Sequence, residues 1–550
     1  MFSRVPMLCV FIALSTLALP VVQVQVPPLL DYPNHFARLW LLAGGILQPP
    51  FPAIYAVDWS AASTNIGVDL LAATLGRSIG IGTLGPWLVA AALILPPLGA
   101  VLLNRSIFGG WHWWQAGFAI LAWNSTLLAG FLSFQIGLGL ALLAGAANPG
   151  ISRRAGPAGA VIVRVALCAG LLIFHVFAAA FYAVILAGLA FGPDRSPLSN
   201  GRAFARAAVR SATAGGLALG LALAVFVLVA PVIPGGHAPA GAYSLLAGYT
   251  WMNKANTLAS AVLTYDAWLD TAFVFVFWAM ARLVAAGRLL RVHTGLVIVS
   301  LGLLALALAM PSTLGGTAFV DWRLPVMAAF TLIAALRPNM RSPRGAMAAA
   351  VTLLLLALMR TAWIGSIWQD RQEDVRSVER ALAFVPEGAS LLPVQSQPAD
   401  TAKPPPGRYL SAGLPTFWHY ASLAVPWRHA FVPTLFTARG KQPLIVLPPW
   451  DSIAVAEGVP TPIGYLEAFD PSTIIRYNIG YAADWRNRFD YALIVNADLP
   501  QADGQRPLPQ GLELVTDEGF ARLYRVRRKN EAVDRPAPVA PAPGQVPAGP

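Results

Sequence analysis

The chain has 550 residues, 56% of them hydrophobic and only 12% charged, with a mean hydropathy of +0.60; an ordinary soluble protein carries roughly 25% charged residues. Water is thereby excluded as the solvent for most of the chain. The net charge of +12 does not point to nucleic acid, because Lys and Arg sit mainly in short loops between apolar runs: Arg153 and Arg154, Arg202/Arg206/Arg210, Arg288/Arg291 and Arg337/Arg341/Arg344. Membrane topology explains that placement better.

The first apolar run, roughly Val5 to Val24, follows Arg4. It is longer than a signal-peptide core and lacks an A-x-A cleavage site, so it reads as a signal anchor with a cytoplasmic N-terminus. Cys9 in this run and Cys168 far along the chain both lie among apolar residues, which suggests neither a disulfide framework nor a thiolate metal site.

An outer loop, residues 25–85, comes next. Its stretches DYPNHFARLWLLAGG and YAVDWSAASTNIGVDLLAATLG both space apolar residues as a helix does. Asp31 and Asn34 are candidate caps for the first, and Ser63 to Asn65 for the second. Two short interfacial helices against the outer membrane face are predicted.

Further spans are predicted near 84–103, 125–147, 161–191, 211–231, 268–286, 294–311, 324–337 and 346–367. Two places leave the number open. Trp111 to Asn124 is a candidate short extra crossing, and 161–191, with Arg164 and His175 inside it, is either one tilted helix or a helical pair. Taking neither gives nine spans and taking both gives eleven. Either choice puts the basic loops at 193–210, 287–293 and 337–345 inside and the C-terminus outside; only eleven spans bring Arg153 and Arg154 inside as well.

After about Gln369 charges appear and apolar runs shorten. The expected organisation is a polytopic α-helical membrane domain, 1–368, followed by a soluble α/β or α+β domain, 369–528, and a disordered Pro/Ala-rich tail, 529–550. RQEDVRSVERALAFVP reads as a helix, and ASLLPV, LIVLPP, YALIV, LELV and ARLYRV read as strands.

No P-loop, strand-linked GxGxxG, HExxH or GxSxG occurs. The informative residues are ionisable groups kept on the outer face of an apolar protein. Asp31 and His35, four residues apart, share one face of a helix start. A partly desolvated carboxyl there suits a general base, while the plainer reading makes Asp31 a cap and His35 an interface residue. Asp58 and Asp69 either complete the site or are simply solvated. Asp321-Trp322-Arg323 offers a cation for a lipid phosphate, or else a mutual ion pair. Asp266 and Asp270 form a second acidic pair, or offset a helix dipole. His175 and Arg164 are expected to face the bundle or mark a helix break, Arg360 to snorkel outward, and Arg202/Arg206/Arg210 to face anionic headgroups.

LLDYPNH in a long first outer loop, the many spans, and a terminal domain ending in FDYALIV and GFARLYRV together resemble the GT-C superfamily of membrane glycosyltransferases, which use polyprenyl-phosphate sugars. The resemblance covers most of the chain as architecture and a few residues as motif. It implies that Asp31, with His35 beside it, is the base activating an acceptor, and that Arg323 holds the lipid phosphate, with Asp58, Asp69 and Asp321 on the substrate side. Many members pair acidic residues in this loop. Here Tyr32 follows Asp31, which leaves Asp58 or Asp69 as the partner and argues against a metal-dependent site.

The expected donor is a lipid-linked sugar, with no other cofactor and no metal. The expected partners are membrane lipids and an envelope glycan, lipid or protein acceptor, without nucleic acid. The expected location is a bacterial inner membrane with the C-terminal domain periplasmic. Two other classes remain: a transporter or flippase, which needs ionisable residues near the midplane, and a non-catalytic envelope assembly protein in which Asp31 is dispensable.

Overall fold

The computed structural model describes residues 4–229, 251–286, 290–314, 317–340, 342–467, 479–500 and 508–528. The predicted tail 529–550 and the basic residues Arg288 and Arg341 lie outside the described residues. In chain order the main helices are α1 (Arg4–Thr16), α2 (Tyr32–Leu42), α3 (Ile81–Phe108), α4 (Leu132–Arg154), α5 (Gly156–Phe174), α6 (Val176–Phe191), α7 (Gly201–Val229), α8 (Trp251–Ala259), α9 (Ala267–Ala286), α10 (Thr294–Ala309), α11 (Val320–Ala334), α12 (Pro343–Asp370) and α13 (Gln372–Leu382).

Six helical stretches among the described residues are long and apolar enough to cross a membrane: α1 continued to Val22, α3, α4, α5, α7, and α12 continued into α13. These suggest a multi-pass membrane protein. Of these, α3 and α4 approach closely and meet at glycines. A Cβ on Gly99 would stand 2.8 Å from the Gly139 carbonyl oxygen, so only residues without side chains let the two backbones close in.

Run 161–191 is a helical pair. His175 has an extended backbone that ends α5, and its Nδ1 accepts from the Phe177 N–H to cap α6. The Cys168 thiol lies 3.7 Å from the Ala179 carbonyl oxygen, although eleven residues of continuous helix would separate them by roughly 16 Å. The chain therefore folds back at His175.

Trp111 to Asn124 threads the helical body as a 3-10 segment, Trp113–Ala122, in which every residue is buried. The Trp113 indole donates to the Pro338 carbonyl beyond the end of α11, and the Trp123 indole donates to the Thr361 hydroxyl far along α12. Irregular backbone at this depth is tolerable because protein encloses it on all sides.

Arg360 does not snorkel outward. It is fully buried, with Nη2 donating to Asp270 Oδ1 at 2.8 Å and to the Trp123 carbonyl at 3.2 Å. Asp270 is thus the counter-charge of Arg360 rather than a compensator of its helix dipole. Asp266 caps the same helix by accepting from the Trp268 N–H.

The strands are β1 (Tyr55–Val57), β2 (Leu290–Val292), β3 (Leu336–Pro338), β4 (Leu391–Gln395), β5 (Leu444–Val446), β6 (Thr461–Pro462), β7 (Tyr491–Val495), β8 (Leu512–Asp517) and β9 (Ala521–Val526). In the C-terminal region five of them form one mixed sheet, in the order β6-β4-β7-β9-β8. β4 runs parallel to β6 and β7, whereas β9 is antiparallel to β7 and β8. Helix α13 is tied to this sheet through Ser377, whose hydroxyl donates to the Glu518 carbonyl and accepts from the Ala521 N–H.

The LIVLPP strand does not join that sheet. As β5 it pairs antiparallel with β1 of the first outer loop, Tyr55 opposite Val446 and Val57 opposite Leu444. Backbone hydrogen bonds thereby fasten the C-terminal region to the loop.

The two predicted loop helices exist, but the first does not lie free on a surface. α2 is buried between the helical body and the C-terminal region, with Asn34, Arg38, Leu39 and Leu41 all enclosed. The second, Gly67–Leu71 with a π turn to Gly76, has no side-chain cap from Ser63 to Asn65. Instead the Thr64 hydroxyl donates to the Leu172 carbonyl and the Ile66 N–H to the Ile173 carbonyl, which pins the turn to the end of α5.

Candidate functional site

Asp31 occupies the N-cap position of α2, yet its side chain makes no cap hydrogen bond. Its backbone N–H is held by the Ala129 carbonyl. Gly130, with φ +88°, leaves room for it, since a Cβ there would stand 2.9 Å from the Asp31 Cβ. The carboxyl instead faces His419 of the C-terminal region, with Oδ1 3.6 Å from Nε2 and the aspartate side chain 17% exposed. Burial, first of all, pushes the Asp31 carboxyl up to about 8, and the Glu457 charge adds to the rise; Arg323, Arg38 and Lys441 oppose it.

Asn34, one turn along α2, fixes the histidine. Its Oδ1 accepts from the Phe436 N–H at 2.8 Å and its Nδ2 donates to the Thr434 carbonyl at 2.9 Å, which sets the orientation of the amide. The same Nδ2 lies 3.3 Å from His419 Nδ1. Nδ1 is therefore the acceptor, and Nε2, the nitrogen facing Asp31, carries the proton. Burial pushes His419 down to about 3, so the pair is an imidazole beside a carboxyl rather than a permanent ion pair. At 3.6 Å the two are too far apart for a direct hydrogen bond.

His35 lies within the same helix, where its backbone N–H donates to the Asp31 carbonyl at 3.0 Å. Burial and the neighbouring Arg38 and His419 hold it neutral, well below the usual histidine range, and its ring packs edge-on against Phe436 at 5.3 Å. Phe436 also packs on His419, at 5.0 Å. One aromatic side chain thus spaces the two imidazoles.

Arg323 enters the same surroundings from the start of α11. The Phe131 ring lies 4.5 Å beneath its guanidinium, with Phe134 and Phe177 at 5.7 and 5.8 Å. Nη1 donates to the Ala318 and Phe319 carbonyls, while the buried Nε has no protein acceptor among the described residues. No carboxylate among those residues lies in ion-pair range of it. The predicted mutual pair with Asp321 does not form. Asp321 accepts from Lys254 at 3.0 Å, from Thr257 at 2.8 Å and from Ser312 at 3.1 Å.

The other loop carboxylates are not brought to Asp31. Asp69 is buried in a two-point pair with Arg38, Nε to Oδ1 2.9 Å and Nη2 to Oδ2 3.3 Å. Asp58 is surface-exposed, and Ser60 hydrogen bonds hold its carboxyl below the usual range while it caps the turn Trp59–Ala61. Neither Asp58 nor Asp69 is therefore an acidic partner of Asp31, and Asp321 faces Lys254. Arg38 does contribute, because its Nη1 is buried without a protein acceptor among the described residues and its charge reaches both Asp31 and His35.

Sequence reasoning missed His419, the positioning role of Asn34, and the Lys441–Glu457 pair, 2.7 Å apart, whose charges reach Asp31. Asn34 and His419 are 385 residues apart, and no spacing pattern connects them. The described residues hold no group of three or more His, Cys, Asp and Glu side chains arranged to bind a metal. No family model matches this chain, and no curated protein matches it either.

Proposed function

We propose that the protein is a membrane glycosyltransferase that moves a sugar from a polyprenyl-phosphate donor to an envelope acceptor. The observation that carries this reading is the uncapped Asp31 carboxyl. It is turned away from its own helix toward His419, and it shares its surroundings with Arg323, a buried cation with no carboxylate in ion-pair range among the described residues. Such a pair suits a reaction that must take a proton at one point and steady a phosphate charge at another.

In this reading Asp31 takes the proton of the acceptor hydroxyl or amine as that atom attacks the anomeric carbon. The bond from that carbon to the phosphate oxygen breaks on the opposite face, and its electron pair leaves with the polyprenyl phosphate, whose charge Arg323 and Arg38 offset. His419 Nε2–H steadies the Asp31 carboxylate before transfer. The anomeric configuration inverts.

Two buried cations of the helical body are matched, Arg360 with Asp270 and Lys254 with Asp321, which favours fixed structural charges over a transport path there. The same reading places the chain in a bacterial inner membrane with eleven crossings, counting the 3-10 segment and the α5–α6 pair. The basic ends are cytoplasmic and Asp31, His419 and the C-terminal domain periplasmic.

The test compares envelope glycans and lipids by mass spectrometry in cells lacking the protein and in cells carrying the wild type or Asp31→Asn. The variant should fold in the membrane and lose transfer by about 10²- to 10⁴-fold. A wild-type glycan profile in that variant would sink the assignment.

A further inference from the structure

The end of the helical body away from Asp31 carries an unbalanced charge. The chain has no acidic residue between Asp69 and Asp266 except Asp194, while Arg153, Arg154, Arg164 and Arg210 gather where α4 ends, α5 begins and α7 passes. A groove of about 570 Å³ runs between α5 and α7, with Arg164 and Arg210 facing it across Val161, Val209 and Leu217. A second groove of about 550 Å³ adjoins it at the α4–α5 turn and takes in Arg153 and Arg154.

Arg164 is held in place. Its Nε donates to Asn148 Oδ1 at 2.9 Å and its Nη2 to the Ser152 hydroxyl at 2.7 Å. Those bonds orient the guanidinium and leave Nη1 for a further acceptor. Among the described residues no carboxylate lies in ion-pair range of Arg164 or Arg210. A cation kept in an apolar groove without a counter-charge is costly.

The groove also opens sideways. Within the most apolar 18 residues of each helix, only 22% are buried in α5 and 17% in α7, against 56% in each of α3 and α4. These two helices therefore show their apolar flanks to whatever surrounds the body, and the fixed guanidinium stands at one end of those flanks. An amphiphile with an anionic head and an apolar tail matches both features.

We infer that this groove is a binding site for an anionic glycerophospholipid, its phosphate on Arg164 and Arg210 and one acyl chain along Val161, Val209 and Leu217. The bound lipid joins α5 to α7 by bridging two arginines that have no carboxylate in ion-pair range among the described residues. This rests on the reading of the helices as membrane spans and is independent of glycosyl transfer.

The experiment uses the full chain purified in detergent and offered phosphatidylglycerol or phosphatidylcholine, with retained lipid counted by native mass spectrometry. Wild type should hold phosphatidylglycerol in preference to phosphatidylcholine. The double variant R164Q/R210Q should weaken that retention at least about tenfold, and R164K/R210K, which keeps the charge, should weaken it less. Equal retention of the two lipids by wild type overturns the proposal, as does unchanged retention in R164Q/R210Q. Inorganic phosphate raising the melting temperature as much as phosphatidylglycerol does would also overturn it, since the tail would then contribute nothing. If the double variant fails to fold, the wild-type competition between the two lipids decides alone.

Discussion

At Asp31 the protein holds a proton that an ordinary aspartate would have lost. The folded carboxyl titrates at about 8 and the unfolded one at 3.8, so the stability this group contributes is complete below the lower value and is lost as pH rises through the higher one. Asp31→Asn removes that loss. Its melting temperature relative to wild type should therefore climb between about pH 5 and pH 9, as followed by thermal unfolding in detergent. A base must be ionised to work, so wild-type transfer should rise with pH to a plateau above about 8, an ascending limb that a cap without chemistry would not produce.

Arg323 makes the converse case: a charge that finds carbonyls and aromatic faces but, among the described residues, no carboxylate in ion-pair range. Arg323→Leu should leave the fold as stable as before or more so, while raising KM for the donor at least about tenfold. A melting temperature that collapses, with donor affinity unchanged, would show the arginine to be structural. Of these residues Asp31, His35 and Arg323 were legible as polar exceptions in an apolar chain. His419 was not, because a histidine in FWHYA has no sequence neighbour that reveals its partner.

Single-element readings succeeded where the signal was local and failed where it depended on a partner. Long apolar runs announced α3, α4, α5 and α7, and short strand-like runs bounded by turn residues announced β4, β7 and β9 in nearly their observed bounds. The pairing of β5 with β1 was not legible, since a period of two states which face a side chain takes but not which strand lies alongside. Arg360 was misplaced for a related reason: a long cation in an apolar span reads as snorkelling unless Asp270 is known to lie opposite. The close approach of α3 to α4 is testable at this scale. Gly139→Val would push a branched side chain into Leu95 and the Pro96 nitrogen, and overpacking of that kind costs about 1–3 kcal/mol. Thermal unfolding should show the loss, whereas valine at Gly150, where a Cβ meets nothing within 4 Å, should be tolerated.

For the molecule as a whole, the site exists only because the C-terminal region docks on the first loop. Asn34 is the centre of that docking. Its amide serves the Phe436 N–H, the Thr434 carbonyl and His419 Nδ1 together, while β1–β5 pairing holds the two segments in register. Asn34→Ala leaves two buried backbone groups without partners, at about 1–3 kcal/mol each, and frees the imidazole from the tautomer that presents Nε2–H to Asp31. Hydrogen exchange should then quicken around residues 415–437 while the α3–α4 pair stays protected, and transfer should fall although Asp31 is intact. Acid should act on the same contact. His419 is neutral when folded, with its pKa lowered to about 3 from 6.5, so its contribution is present above about pH 6.5 and is lost as pH falls toward 3. The exchange difference between Asn34→Ala and wild type should therefore narrow in acid, as protonation undoes in the wild type what the substitution has already undone. Equal protection of 415–437 in the two proteins at neutral pH would detach the docking from Asn34 and leave it to the β1–β5 pairing and the neighbouring backbone bonds of Asp58 to Pro443 and of Gly440 to Ala61.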